Sequence, residues 1–304
     1  MPLNKNRAPW LLLLLVVLAF IRHVSQNDLS RAKKDFRALA KGFARRGFVC
    51  FSLNYRLVTA TDHRFPAQLD DVRRAIRWIR ANAIRDGVDP NRLGALGASA
   101  GGHLVALLGT VDTRASQPQE LSQYSSRVQC VVDMYGPTDL TSTFPSNGGV
   151  DVAQLIHQLM DGTPKEKPQL YHLASPRFDV DPATVPFLIF QGALDPLVPV
   201  DQSRRMANTL QSNGIPVTYV EFPDEGHGIE KRANREKVVS MTLQFFDSKL
   251  RGLIHSRIGS SSFFLTESVD AMGGAGFYAG VGLGPKMERL PAAQEFGQPT
   301  AKPM

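Results

Sequence analysis

The stretch Gly97-Ala98-Ser99-Ala100-Gly101 constrains this chain more than any other. It follows the strand-like Arg92-Leu93-Gly94-Ala95-Leu96 and opens the apolar, helical Gly102-His103-Leu104-Val105-Ala106-Leu107-Leu108. A G-x-S-x-G pattern set between a strand and a helix is a sharp turn that holds a serine in a strained conformation with its hydroxyl outward. The small residues on either side of Ser99 are what such a turn needs, because strand and helix pass so close that a larger side chain would clash. Five residues alone could equally be a Gly/Ala-rich turn whose serine caps the next helix. The residues downstream decide between the two.

Around this turn, apolar spacing alternates between strand and helix. Phe36, Leu39, Ala40 and Phe43 mark a helix from Asp35 to Arg46, closed by Gly47, and Phe48 to Leu53 reads as a strand. Pro66 starts a helix with Leu69, Val72, Ile76, Ile79 and Ala83 on one face. Further strands are read at Val128 to Met134, Phe187 to Phe190 and Val217 to Phe222. Helices are read at Asp201 to Asn213 and from Asn234 to Arg251, the last burying Val238, Val239, Leu243 and Phe246. The pattern is that of an α/β domain, a mostly parallel sheet with helices on both faces. About fifty residues separate the strands ending at Met134 and starting at Phe187, and an insertion there is a candidate lid or pocket wall. After Gly252 the periodicity dissolves, and Gly259 to Met304, rich in Gly, Ser, Ala and Pro, reads as a disordered tail. The chain thus divides into an apolar N-terminal segment (1–30), one large domain (31–252) and a tail (253–304).

The N-terminal segment has two readings. Lys5 and Arg7 precede an apolar run from Trp10 to Ile21 with five consecutive leucines, Leu11 to Leu15. That is the layout of a secretory signal or short anchor, and consecutive leucines favour helix over strand. On this favoured reading the protein is exported or touches a membrane through residues 10–21; otherwise it is cytoplasmic. The run is short of the roughly twenty residues a span needs. A central parallel strand, which also reads as one continuous apolar run, is the alternative.

Composition excludes other classes of function. The formal net charge of +7 comes largely from arginines along predicted helices, such as Arg73, Arg74, Arg77, Arg80 and Arg85, and no nucleic-acid-binding module accompanies them. Cys50 and Cys130 each lie in a strand-like apolar run and read as buried small hydrophobes rather than a disulfide. No His/Cys/carboxylate spacing suggests a metal, and no cofactor is implied.

A serine hydroxyl is a weak nucleophile at neutral pH; it needs a base to take its proton and a third group to orient that base. Two loops after Ser99 supply candidates in the required order. Asp195 lies in Gly192-Ala193-Leu194-Asp195-Pro196-Leu197-Val198-Pro199, directly beyond one strand, and His227 in Asp224-Glu225-Gly226-His227-Gly228, directly beyond the next. Both would fall at the carboxyl ends of parallel strands, the edge on which Ser99 also lies. Singly, Asp195 could initiate a turn and His227 could be an exposed loop histidine. Jointly they read as a triad, with His103 a neighbour that packs on the helix.

From about Asp35 to Arg251 the chain resembles an α/β-hydrolase of the esterase/lipase kind, close to the acetyl-esterase, feruloyl-esterase-like and hormone-sensitive-lipase-like group. The resemblance is carried by Asn54-Tyr55-Arg56-Leu57, Phe65-Pro66-Ala67-Gln68-Leu69-Asp70-Asp71, Gly97 to His103, Tyr135-Gly136-Pro137, Gly192 to Pro199 and Gly226-His227-Gly228. It implies hydrolysis of a short acyl ester without a cofactor, with Ser99 as nucleophile, His227 as general base, Asp195 as orienting acid and the Ala100 amide as an oxyanion donor. A catalytically impaired, membrane-tethered or binding protein is the rival reading, and a peptidase or formamidase a weaker one. Two departures motivate the rival. The first two strands of the family's eight-stranded sheet are missing, and its His-Gly-Gly oxyanion loop is replaced by Arg22-His23-Val24-Ser25-Gln26-Asn27.

Overall fold

In the computed structural model, which describes residues 10–16, 39–111, 121–147 and 150–252, the leucine run is a strand. This strand, β1 (Trp10–Val16), lies between β2 (Phe48–Leu53) and β3 (Val88–Ala98) and runs parallel to both. Leu13 is in register with Cys50 on one side and Gly94 on the other. Of the two readings of the leucine run, Trp10–Val16 therefore takes the central-strand one. Helix propensities differ by only roughly 0.2–0.7 kcal/mol per ordinary residue, too little to outweigh a hydrogen-bond ladder on both edges. Trp10–Val16 thus pairs within the same sheet as β2 and β3. Residues 17–21, the loop at Arg22 to Asn27, the start of the helix at Asp35 and the tail 253–304 lie outside the described residues.

The chain continues through β4 (Cys130–Met134), a small hairpin of β5 (Ser146–Asn147) and β6 (Val150–Asp151), β7 (Phe187–Gly192) and β8 (Val217–Phe222). Among the described residues these make a six-stranded parallel sheet in the order β2-β1-β3-β4-β7-β8, the hairpin standing apart from it. The helices are α1 (described over 39–45), α2 (Ala67–Ala81), α3 (Ala83–Asp86), α4 (Ala100–Thr110), α5 (Val152–Met160), α6 (Pro168–Leu173), α7 (Val200–Ser212) and α8 (Arg232–Phe246). None of them is long and apolar enough to cross a membrane.

The strands alternate side chains between two cores, as the two-residue pleat requires. Leu93, Ala95, Val131, Phe187 and Ile189 face a core with α2, α4 and α7, whereas Leu96, Ala98, Val132, Leu188 and Phe190 join α1 and α8 on the other face. Helices on both faces explain why β7 is buried at every position. Cys50 and Cys130 are buried and unpaired, as the sequence suggested. Val239, expected in the core, is 38% exposed, while its α8 neighbours Val238, Leu243 and Phe246 are buried. The insertion after β4 is tied down: Ile156, Leu159 and Met160 enter the first core, and the Phe65 amide donates to the Leu159 carbonyl at 2.9 Å.

One buried acid lies beneath the turn at Ser99. Asp133 of β4 is in register with Gly97 of β3, is fully buried, and accepts one hydrogen bond, from the Gly136 amide at 3.0 Å. Burial pushes its carboxyl up to about 7, opposed by the Gly136 N–H. Below the unfolded value of about 3.9 both states hold the proton. As pH rises above it, the unfolded chain loses the proton and the folded chain keeps it, so this group's favourable contribution is lost progressively up to about pH 7.

Two outcomes follow. Asp133→Asn keeps an acceptor for Gly136 without the titration, so its stability relative to wild type should rise by roughly 2–4 kcal/mol between about pH 4 and pH 7. Urea unfolding across that range reads this directly, and parallel stability curves would overturn it. Leu13→Pro removes an amide from the strand between β2 and β3 and should cost about 3 kcal/mol or more. A variant that melts at the wild-type temperature would show that β1 is dispensable.

Candidate active site

The turn between β3 and α4 has the geometry its composition demands. Ser99 has φ 53° and ψ −120°, a region that costs a residue with a side chain about 1–3 kcal/mol. What holds it there is the close approach of strand and helix. A Cβ on Gly97 would lie 2.2 Å from the Gly101 carbonyl oxygen, and one on Gly102 would lie 2.3 Å from Asp133 Oδ1 and 2.9 Å from Gly136 Cα. The Ser99 amide donates to the Met134 carbonyl of β4 at 2.9 Å, and the Ser99 carbonyl accepts from the His103 amide at 3.0 Å, starting α4. Ala100 is the first residue of that helix, where an N–H has no intrahelical acceptor and the helix dipole is positive.

The residues predicted to act together are brought together. His227 Nε2 lies 2.9 Å from Ser99 Oγ, and His227 Nδ1 lies 2.8 Å from Asp195 Oδ2. The three reside just past the carboxyl ends of β3, β8 and β7. Their exposure is graded: Ser99 and His227 are half-buried, and the Asp195 side chain is shielded from solvent. With Nδ1–H donating to the carboxylate, Nε2 carries the lone pair and accepts from the serine hydroxyl. Such a relay can move a proton from serine to imidazole and stabilise the resulting cation. The Tyr135 ring meets the His227 ring edge-on, centroids 5.0 Å apart, and fixes the imidazole from the side.

The loops that present the acid and the base depend on a second glycine. A Cβ on Gly192 would lie 2.3 Å from the Gly226 carbonyl and 2.5 Å from that of Glu225, so only glycine lets the β7 and β8 ends converge. Sequence reasoning missed what stiffens these loops. Glu225, buried, accepts from the Glu230 and Lys231 amides, each at 3.0 Å, and from Asn234 at 2.7 Å. Burial works against its ionisation, but those donors together hold its carboxyl below the usual range. Only its position two residues before His227 marked it in the sequence.

His103, the neighbour of the turn, is turned away from the relay. It is fully buried and its Nε2–H donates to the Ala174 carbonyl at 2.6 Å, while burial lowers its pKa to about 4 against the pull of that carbonyl. It is a neutral structural histidine. The Arg56 and Asp71 motif residues are also scaffolding: the Arg56 amide and guanidinium donate to the Asp71 carboxylate, and Gln68 donates to the Arg56 and His63 carbonyls, pinning the loop after β2 to α2. Among the described residues no group of three or more His, Cys, Asp or Glu could hold a metal ion.

Comparison with known proteins agrees with this architecture. Esterase LipC of Mycobacterium tuberculosis is 34% identical over 216 residues, 70% of this chain and 53% of that protein. Esterase LipQ of the same organism is 32% identical over 214 residues, 69% of this chain and 49% of that protein. This chain therefore spans about half the length of the curated relatives it matches. Among solved structures, a truncated carbohydrate esterase from gut microbiota superposes with a TM-score of 0.66 at 25% identity, covering 81% of this chain and 88% of that one. The family model described as BD-FAE matches residues 24–210, well over half of the sequence. With its parallel sheet, its turn at Ser99 and these relatives, the chain belongs to the BD-FAE family of α/β-hydrolases of the esterase/lipase type.

Proposed function

We propose that this protein is a serine hydrolase that cleaves short acyl carboxylic esters through an acyl-enzyme. The observation that carries the reading is the continuous Ser99–His227–Asp195 relay, with contacts of 2.9 and 2.8 Å, on a strained turn at the sheet's carboxyl edge. The similarity to esterases supports the ester as the bond attacked.

In this reading Ser99 Oγ attacks the ester carbonyl carbon as its proton passes to His227 Nε2. Asp195 keeps Nδ1–H oriented and offsets the imidazolium charge. The negative charge that develops on the carbonyl oxygen falls near the Ala100 N–H at the positive end of α4, where a preorganised donor is worth about 2.7–4 kcal/mol. Collapse of the tetrahedral intermediate breaks the bond to the alcohol oxygen, which takes the proton from His227 Nε2 and leaves. Water then repeats the cycle: His227 accepts its proton, the hydroxyl attacks the acyl carbon, and the carboxylic acid departs as Ser99 regains its hydrogen. No cofactor enters these steps.

Ser99→Ala and His227→Ala should each lower kcat on p-nitrophenyl acetate by about 10⁴-fold or more, and the double variant should lose little further, because relay members act as a unit. A fluorophosphonate probe should label wild type at Ser99 and fail on Ser99→Ala. Wild-type turnover in His227→Ala, or labelling that survives Ser99→Ala, would sink the reading.

A further inference from the structure

The relay does not end at Asp195. Its Oδ1 accepts from the amides of Leu197 and Val198, each at 2.9 Å, which is local loop chemistry. Its Oδ2, the oxygen that faces His227, also accepts from Gln191 Nε2 at 2.9 Å. Gln191 stands near the end of β7 with no solvent exposure. Its amide can point only one way. The Nε2 side faces acceptors alone: Asp195 Oδ2, the Val198 carbonyl at 3.2 Å and the Gly192 carbonyl at 3.3 Å. The Oε1 side meets the Ser203 hydroxyl at 2.9 Å, and Ser203, on the first turn of α7, is itself fully buried. A flipped amide would set its carbonyl oxygen against a carboxylate and two carbonyls, an arrangement with no proton to share.

We propose that Gln191 is a positioning residue for the reaction, holding the Asp195 carboxylate in line with His227, and that Ser203 fixes the direction in which the Gln191 amide donates. The inference rests on the serine-hydrolase reading for its catalytic meaning, but its physical content does not need turnover. A donor on Oδ2 does two things. It fixes the carboxylate's rotation, and it draws off part of the negative charge that the His227 Nδ1–H feels. Removing the donor concentrates that charge on the imidazole and favours the imidazolium form. Ser99 and Asp195 hold the imidazole's two nitrogens and the Tyr135 ring covers its edge; the Glu225 carboxylate is spent on the amides of Glu230 and Lys231, and Asp224 pairs with Lys231 at the surface.

The test is an NMR titration of histidine-labelled full-length protein, with His227 assigned by comparison with His227→Ala. In Gln191→Leu the His227 titration should move to higher pH, and in Ser203→Ala it should move the same way by less. If Gln191→Leu fails to fold, Ser203→Ala, which deletes a single hydroxyl, carries the test alone. A folded variant whose His227 titrates as in wild type overturns the proposal. Ester hydrolysis by wild type is measured alongside. Absence of Ser99-dependent turnover would defeat the esterase reading and leave the titration result standing, and a normal titration with normal turnover would do the reverse.

Discussion

The contact on which the rest depends is the crossing of β3 and α4, where Gly97 lies against the carbonyl of Gly101. At a separation where an added Cβ would sit 2.2 Å from backbone oxygen, no side chain can be accommodated by a rotamer change; the helix itself would have to move. That closeness forces Ser99 into a conformation that few residues adopt and then satisfies it. Its amide reaches across to β4 and its carbonyl starts the helix, so the strain is held by backbone hydrogen bonds rather than relieved. The outward hydroxyl is a consequence of this crossing. So is the burial of Asp133, whose carboxyl occupies the space that Gly102 leaves by having no side chain.

Much of this was legible in the sequence, for a physical reason. The crossing requires glycine at fixed spacing, and so does the convergence of the β7 and β8 loops at Gly192; requirements imposed by backbone on backbone leave few residue types to choose from. The chain order of Ser99, Asp195 and His227 was likewise readable, because each follows a recognisable strand and parallel strands put their carboxyl ends on one edge. The leucine run was not. Its composition leans toward a helical signal or anchor but also fits a strand buried among strands. Only the open slot between Phe48–Leu53 and Val88–Ala98, which is a property of the assembled sheet, selects the strand.

Gln191, Ser203 and Glu225 were illegible for a different reason. Each is a polar residue whose own type gives no hint of burial: one near the end of an apolar strand, one in the first turn of a helix, one in a loop. Their significance lies in partners on a neighbouring loop or helix turn, and a hydrogen bond between Gln191 and Ser203 leaves no periodicity behind it. Buried polar groups of this kind are favourable only when every member is satisfied. That condition is met around Asp195, where both oxygens accept two bonds and the Gln191 amide is engaged at both ends.

The first turn of α7 ties these parts into one unit. Gln202 accepts at Oε1 from the amides of Thr138 and Asp139, at 2.9 and 2.8 Å, and so fastens the turn after β4 that carries Tyr135 against His227. The next residue, Ser203, fastens Gln191 and through it Asp195. Two adjacent side chains on one helical turn thus hold the imidazole's neighbour and the imidazole's acid, both from outside the reacting groups. Outward of them, Asp139 accepts from Arg177 and Arg205 at 2.9 and 3.2 Å, its carboxyl held low against burial by Thr141 and those guanidinium groups, so the far end of the network is anchored by charge. In the proposed reaction, a relay mounted this way would have little freedom to reorganise as charge develops on His227. Small reorganisation is what gives a fixed set of dipoles an advantage over water in stabilising that charge.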